Sequence, residues 1–176
     1  MMKHLLLVAS LLFSPVVLRA LDLGSEYVEQ MSALANNRHG GIPLKLTKGD
    51  GIFTKAMFKP PVEIVIEAKT NSTNLRISYA ADQVIFNWEG NQNQLRIDGG
   101  PASGQHKLGA GGIPKNKYVT IRWVVTPKGQ SIYVDDALRF EHEGDYSKIN
   151  NPIGVFSKGS EVMVKSIKVK QLPAAD

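Results

Sequence analysis

A hydrophobic period of two, running from about Ile42 to Leu172, constrains the fold more than any other feature of the chain. In Val62–Ala68, four apolar residues in one phase alternate with Glu63 and Glu67, and in Val119–Val125 four apolar residues alternate with Thr120 and Arg122. Successive side chains of a β-strand point to opposite faces, so each such segment buries one face and exposes the other. Turn residues separate these segments at intervals of about 8 to 12 residues, the pattern of a sandwich or barrel.

The alternation predicts about ten to twelve strands and almost no helix. A chain of 176 residues is the size of one domain, and its 16 glycines and 9 prolines suit many short strands joined by turns. No internal repeat of propeller or solenoid length is visible. We therefore expect an all-β fold: a two-sheet antiparallel β-sandwich of the jelly-roll type.

The last strand changes phase along its length. Val162 and Val164 are even-numbered, whereas Ile167 and Val169 are odd-numbered. All four can face one core only if an extra residue is inserted between the pairs. The sequence therefore predicts a β-bulge at Lys165–Ser166.

The first 20 residues resemble a signal peptide. Lys3 gives a positive start, Leu5–Leu12 is a continuous apolar run, and Ala20 is a small residue at the end. The apolar stretch is interrupted by Pro15 and is shorter than the roughly 20 residues of a spanning helix, so no stable membrane span is expected. An uncleaved N-terminal anchor is the alternative. We expect a secreted or periplasmic bacterial protein, cleaved near Ala20.

The remaining chain divides into three parts. Residues 21–41 have apolar residues at helical spacing, which predicts a helical and loop segment with a short helix at about residues 25–35. Residues 42–172 form the β-sandwich domain. Residues 173–176 form a C-terminal tail.

Composition excludes several classes of site. The chain has no cysteine, which rules out disulfides, thiolate nucleophiles and cysteine-ligated zinc. The formal charge is +5, and about +3 without residues 1–20, with the lysines scattered rather than clustered. Nucleic-acid binding requires a basic patch, so no nucleic-acid partner is expected.

Three stretches resemble the concanavalin A-like lectin/glucanase superfamily, including its laminin-G-like domains. They are the strand Val62–Ala68, the hairpin segments Lys117–Trp123 and Ser131–Leu138, and the closing pair Pro152–Val155 and Val162–Val169. The chain is also similar to bacterial sugar-hydrolase jelly rolls. The resemblance implies a jelly roll, and it implies a lectin, a glycanase or an interaction module without choosing among them.

Carboxylates are the first candidates for chemistry, since glycoside hydrolysis uses a pair of them. Glucanases of the superfamily carry two glutamates four apart with an aspartate midway. Glu63 and Glu67 have that spacing, but Val65 occupies the middle position. Other candidate acids or bases are Glu89, Glu141 and Glu143, with His142 expected on the opposite face of its strand from Glu141 and Glu143.

Glycan recognition combines aromatic faces with planar polar side chains. The phase of Trp88 and Trp123 matches that of their apolar neighbours, which predicts that both are in the core. The opposite phase predicts a polar groove if the strands line one concave sheet, and Tyr133 is an exposed aromatic candidate. The expected ligand-binding residues are Arg76, Asn87, Arg96, Arg122 and Tyr133.

Three aspartates are candidates for metal binding. Asp135 and Asp136 could offer oxygens to calcium, as could Asp98, and calcium is common in lectin-like sandwiches. An aspartate pair at a hairpin is also ordinary turn chemistry, because aspartate tolerates the required backbone conformations. No other cofactor is expected.

The leading functional hypothesis is a non-catalytic carbohydrate-binding module whose partner is a polysaccharide or glycan. The first alternative is a glycoside hydrolase or related sugar-active enzyme that uses Glu89, Glu141 or Glu143. The second is a protein–protein interaction domain of the laminin-G type.

Overall fold

A computed structural model of the protein describes residues 26–27 and 43–173, and within them the chain forms thirteen strands and no helix. In chain order the strands are β1 (Glu26–Tyr27), β2 (Leu44–Leu46), β3 (Gly51–Phe53), β4 (Val62–Thr70), β5 (Leu75–Ser78), β6 (Gln83–Phe86), β7 (Gln94–Asp98), β8 (His106–Leu108), β9 (Val119–Thr126), β10 (Gly129–Val134), β11 (Ala137–Glu143), β12 (Gly154–Ser157) and β13 (Val162–Gln171).

The strands form two antiparallel sheets. The seven-stranded sheet has the order β1-β13-β4-β9-β10-β11, with β2 also paired to β13, and the six-stranded sheet has the order β3-β12-β5-β6-β7-β8. The consecutive strands β5 to β8 form a meander in one sheet, and β9 to β11 form a meander in the other. The sandwich expected from the alternating pattern is therefore confirmed.

The core lies between the sheets and consists of the apolar side chains that alternate inward. In β4 every second residue, from Val62 to Thr70, is fully buried, and the residues between them are only partly covered. Trp123 is fully buried, donates its Nε1–H to Oε1 of Gln130 at 2.8 Å, and meets the ring of Tyr79 edge-on. Such alternation gives β4 one core face and one partly exposed face.

The expected bulge in the last strand is confirmed. Val164 pairs with Ala68 and Ser166 with Glu67, so Lys165 is the extra residue and Ile167 returns to the core. A second irregularity, which the sequence pattern did not indicate, lies in β11. There Phe140 pairs with Ile132 and Leu138 with Tyr133.

The glycine-rich stretch 98–116 runs from the end of β7 towards β9. It contains β8, and some of its glycines allow close backbone approach. Gly100 has a φ of +67°, and a Cβ there would lie 2.1 Å from the carbonyl oxygen of Ala80. A side chain at this position would collide with the backbone, so the glycine serves packing.

The N-terminal expectations lie mostly outside the described residues. Glu26 and Tyr27 pair with Lys170 and Val169 as strand β1, so the predicted helix is wrong at these two residues. The rest of that helix, the signal peptide 1–20 and residues 174–176 are outside the described part of the chain. Within the described residues, none belongs to a helix that could cross a membrane.

Candidate functional site

The outer face of the six-stranded sheet carries polar side chains across β5 to β8, with the buried Ile85 between two arginines. Strand register places Arg76 beside Ile85, Ile85 beside Arg96, and Arg96 beside His106. The next row pairs Gln83 with Asp98. These side chains alternate with the buried core residues of the same strands, so they lie on the face directed away from the core.

Arg76 is the most enclosed charged group of this face, with only 4% of its side chain exposed. Its Nη1 donates to Oε1 of Gln83, and its Nη2 donates to Oδ1 of Asn74 at 2.8 Å and to Glu89 at 3.3 Å. Its Nε is buried and makes no hydrogen bond. Burial lowers the pKa of the guanidinium, and the nearby carboxylates of Glu89 and Asp98 oppose that effect.

Asp98 links the two arginines. It accepts from Nε of Arg96 at 2.9 Å and from Nε2 of Gln83 at 2.7 Å, and Gln83 in turn bonds to Arg76. Burial raises the pKa of Asp98, but the hydrogen bonds from Arg96 and Gln83 and the charge of Arg96 outweigh it, so the pKa lies below its usual value. The carboxyl is therefore ionised at neutral pH.

Trp88 closes one end of this row. The guanidinium carbon of Arg96 lies 4.9 Å from the centre of the indole, and the ring of His106 meets it edge-on at 5.9 Å. Trp88 is half-buried and so is not the core residue that its phase predicted. The reason is local: β6 ends at Phe86, and Asn87 adopts a left-handed φ of +48°, which breaks the alternation. We call Arg76, Gln83, Trp88, Arg96 and Asp98 the arginine cluster.

A pair of aromatic rings lies at the other side of the same face. Phe53, 50% exposed, stacks on Phe156 at 6.5 Å, and Phe156 is the register partner of Arg76. Beside Phe53 is a groove of about 300 Å³ that Ser78 and Asp82 also line. One sheet face therefore offers aromatic surface on both sides of a charged centre.

The sequence-predicted binding residues are divided between the two sheets. Arg76 and Arg96 join in the arginine cluster, and Glu89 contacts it through Arg76. Asn87 is buried, and its amide exchanges hydrogen bonds with the backbone of Ile113 at 3.0 and 2.9 Å. It therefore holds the loop before β9 rather than facing a groove.

Arg122 and Tyr133 lie together on the outer face of the seven-stranded sheet. The guanidinium carbon of Arg122 is 3.8 Å from the centre of the Tyr133 ring, and its Nη1 is 3.5 Å from the carboxylate of Glu63. Glu141 and Glu143 lie on the same face, two strands away from Arg122 on β11. His142 alternates with them and bonds to the hydroxyl of Tyr146 at 2.8 Å.

The aspartates proposed for calcium form a turn. Asp135 and Asp136 have φ of +48° and +63° and connect β10 to β11, and Oδ1 of Asp135 accepts from the backbone N–H of Thr120 at 2.9 Å. Asp98 is engaged by Arg96 and Gln83. Within residues 43–173, no three histidine or acidic side chains are grouped so that they could hold a metal ion.

Sequence reasoning missed several members of this face. Phe53 and Phe156 alternate with the buried Ile52 and Val155, so their outward position could have been inferred from phase. The role of Gln83 could not, because its place between Arg76 and Asp98 depends on how β5, β6 and β7 align.

Comparison with known proteins gives the fold. No family model and no curated protein matches the chain. Among solved structures, the galectin LEC-6 of Caenorhabditis elegans matches with a TM-score of 0.52 at 12% identity, over 84% of this chain and 96% of the galectin. The exoplasmic domain of VIP36 in its Ca²⁺- and mannose-bound form matches with a TM-score of 0.58 at 9% identity, over 87% and 83% of the two chains.

A third structure belongs to work on endo-acting O-glycanases of the human gut microbiota. It matches with a TM-score of 0.56 at 13% identity, over 77% of this chain and 81% of the other. At such identities the likeness concerns the fold and not the site. The chain has the concanavalin A-like jelly-roll fold that its sequence resembles.

Proposed function

We propose that this protein binds a glycan, without cleaving it, on the outer face of its six-stranded sheet. The observation that carries the proposal is the arginine cluster, in which the half-buried Trp88 stands beside planar polar side chains held in fixed positions. Sugars present both CH faces and rims of hydroxyl groups. An indole face with preorganised guanidinium, amide and carboxylate groups matches that chemistry.

The enclosed Arg76 supports the same proposal. Nε of Arg76 is buried without a hydrogen-bond partner. This lowers stability, because the donor has lost its hydrogen bonds to water and forms none within the protein. Ordering Arg76 with Asn74, Gln83 and Glu89 fixes its geometry before a ligand arrives. Such preorganisation lowers the entropy lost on binding.

The protonation state of the cluster favours binding over hydrolysis. A glycosidase needs one carboxyl that is protonated near neutral pH, which requires a raised pKa. The pKa of Asp98 is lowered by its hydrogen bonds and by Arg96, despite the opposing effect of burial. Glu89, the other carboxylate of this site, points to Arg76. Similar folds include both lectins and glycanases, so turnover must be measured directly.

A glycan array probed with the purified protein, with and without added calcium, tests the proposal. We expect binding that Trp88→Ala and Arg96→Met each weaken by about tenfold or more, as expected for a stacking or charge-assisted contact. Lys165→Met, at an exposed cation of the other sheet, is the control and should leave this binding within about twofold. Retained binding in both cluster variants would refute the site.

Mass spectrometry of the bound glycan after long incubation separates the two sugar-directed functions. An unchanged glycan is the expected result. Shortened products that disappear in a carboxylate variant such as Glu89→Gln would identify a glycoside hydrolase instead.

We also propose that the protein is exported, on the basis of the apolar segment within residues 1–20. N-terminal sequencing of the protein from fractionated cells should find a chain beginning at about Leu21 in the periplasm or the medium. A cytoplasmic protein that retains Met1 would contradict this proposal.

A further inference from the structure

The seven-stranded sheet has its own groove, on the side of the molecule opposite the arginine cluster. It measures about 490 Å³, and its lining on the outer face includes Val124, Thr126, Ser131, Glu141 and Glu143. These side chains point away from the core, because their neighbours in the chain, Val125, Ile132 and Phe140, are buried in it. The groove crosses the ends of three neighbouring strands.

Register explains how the groove is built. Val124 pairs with Ser131, and Ser131 with Glu141, so a half-buried apolar side chain, a hydroxyl and a carboxylate lie in one row. Oγ of Ser131 lies 3.4 Å from Oε1 of Glu141. Glu143 occupies the next outward position on β11, and Lys128 closes the end at the β9–β10 turn. The groove thus places one half-buried apolar side chain, Val124, beside a wall of carboxylate acceptors.

The neighbouring row extends this surface with an aromatic ring. Tyr133 and Arg122 are one outward position along β10 and β9 from Ser131 and Val124, a distance of about 6 to 7 Å for two residues of a strand. The Arg122 guanidinium stacks on the ring and lies 3.5 Å from the carboxylate of Glu63. These contacts hold the tyrosine beside the groove.

We infer that this groove is a second saccharide site, for a sugar rich in hydrogen-bond donors, either neutral or amine-bearing. Glu141 and Glu143 accept from hydroxyl or ammonium groups, and Val124 receives the CH face of a sugar ring. The two carboxylates against the single Lys128 repel an acidic sugar. The inference does not depend on the arginine cluster, which lies on the other sheet.

Titration of the isotope-labelled protein with three tetrasaccharides tests the inference: a glucosamine tetramer, cellotetraose and tetragalacturonate. We expect the glucosamine tetramer to shift the backbone resonances of Val124, Ser131 and Glu141. The double variant Glu141→Gln with Glu143→Gln should weaken its binding about tenfold, because charge-assisted hydrogen bonds become neutral ones. Ser131→Trp, which fills the groove, should abolish binding.

Two controls make the result specific. Glu67→Gln removes a carboxylate from the same sheet face outside the groove, and it should change the dissociation constant less than about twofold. A glycan bound at the arginine cluster would instead shift the backbone resonances of Trp88 and Arg96, so failure of the arginine cluster and failure of this groove are distinguishable. Cellotetraose binding that is lost in Ser131→Trp also supports the inference.

Three results would overturn it. They are the absence of groove shifts with both the glucosamine tetramer and cellotetraose, binding that survives Ser131→Trp, and tighter binding of tetragalacturonate in the groove than of either of the other two.

Discussion

At the residue scale, Arg76 contributes to the stability of the six-stranded sheet and is also part of the proposed glycan site. We predict that Arg76→Lys lowers the free energy of unfolding by about 1–3 kcal/mol, because a single ammonium cannot replace the planar fork and leaves buried polar partners unsatisfied. Urea unfolding followed by circular dichroism measures the loss. Arg122→Lys, in a pair that is about one-third exposed, should cost less than about 1 kcal/mol. Equal losses in the two variants would show that Arg76 is not special.

Asp98 gives the same cluster a predictable response to acid. Its folded pKa lies below the unfolded value of about 3.9, because the hydrogen bonds from Arg96 and Gln83 and the charge of Arg96 outweigh burial. A group of this kind stabilises the fold above its unfolded pKa and loses that contribution as pH falls through its folded pKa. Wild-type stability should therefore decline more steeply below about pH 4 than that of Asp98→Asn.

Urea midpoints measured from about pH 7 down to about pH 3 check this difference in slope. Asp136→Asn, at an exposed turn of the other sheet, controls for loss of a carboxylate as such. Parallel curves for wild type and Asp98→Asn would contradict the role given to the Arg96 and Gln83 contacts.

At the element scale, the bulge in β13 makes a deletion harmless at one position and harmful three residues later. Removing Lys165 leaves Val164, Ser166 and Ile167 in unbroken alternation, with Ser166 still opposite Glu67. The loss is an exposed ion pair with Glu67, so we predict a cost of less than about 1 kcal/mol. Removing Lys168 instead turns Val169 out of the core and should cost more than about 2 kcal/mol. Urea unfolding of both deletion variants gives the comparison, and equal costs would contradict the bulge.

The elements also show where sequence reasoning ends. Alternation predicted the buried faces of β4 and β9 and a bulge at Lys165–Ser166, because a core on one side of a strand produces a period of two in the local sequence. It failed at Trp88, where the strand ends and Asn87 turns left-handed. It also could not tell that Arg96 and Arg122 belong to different sheets. Sheet membership is decided by non-local pairing, which the pattern of a single strand does not contain.

At the scale of the whole molecule, both proposed sites depend on one core. Trp123 lies within the core on the seven-stranded sheet, and Trp88 lies outside it beside the six-stranded sheet. Side chains from both sheets form a single buried cluster, so neither sheet can keep its inner face covered alone. We therefore predict that the two sheets unfold together, as small single domains usually do.

Single-tryptophan variants test this cooperativity. Trp88→Phe leaves Trp123 as the only indole, and Trp123→Phe leaves Trp88. Within each variant, the urea midpoint from tryptophan fluorescence should coincide with the midpoint from far-ultraviolet circular dichroism. Trp123→Phe should have the lower midpoint of the two, because it removes a fully buried ring and its hydrogen bond to Gln130. A Trp88 signal that changes at lower urea than the circular dichroism would mean that the face bearing the arginine cluster opens independently of the core.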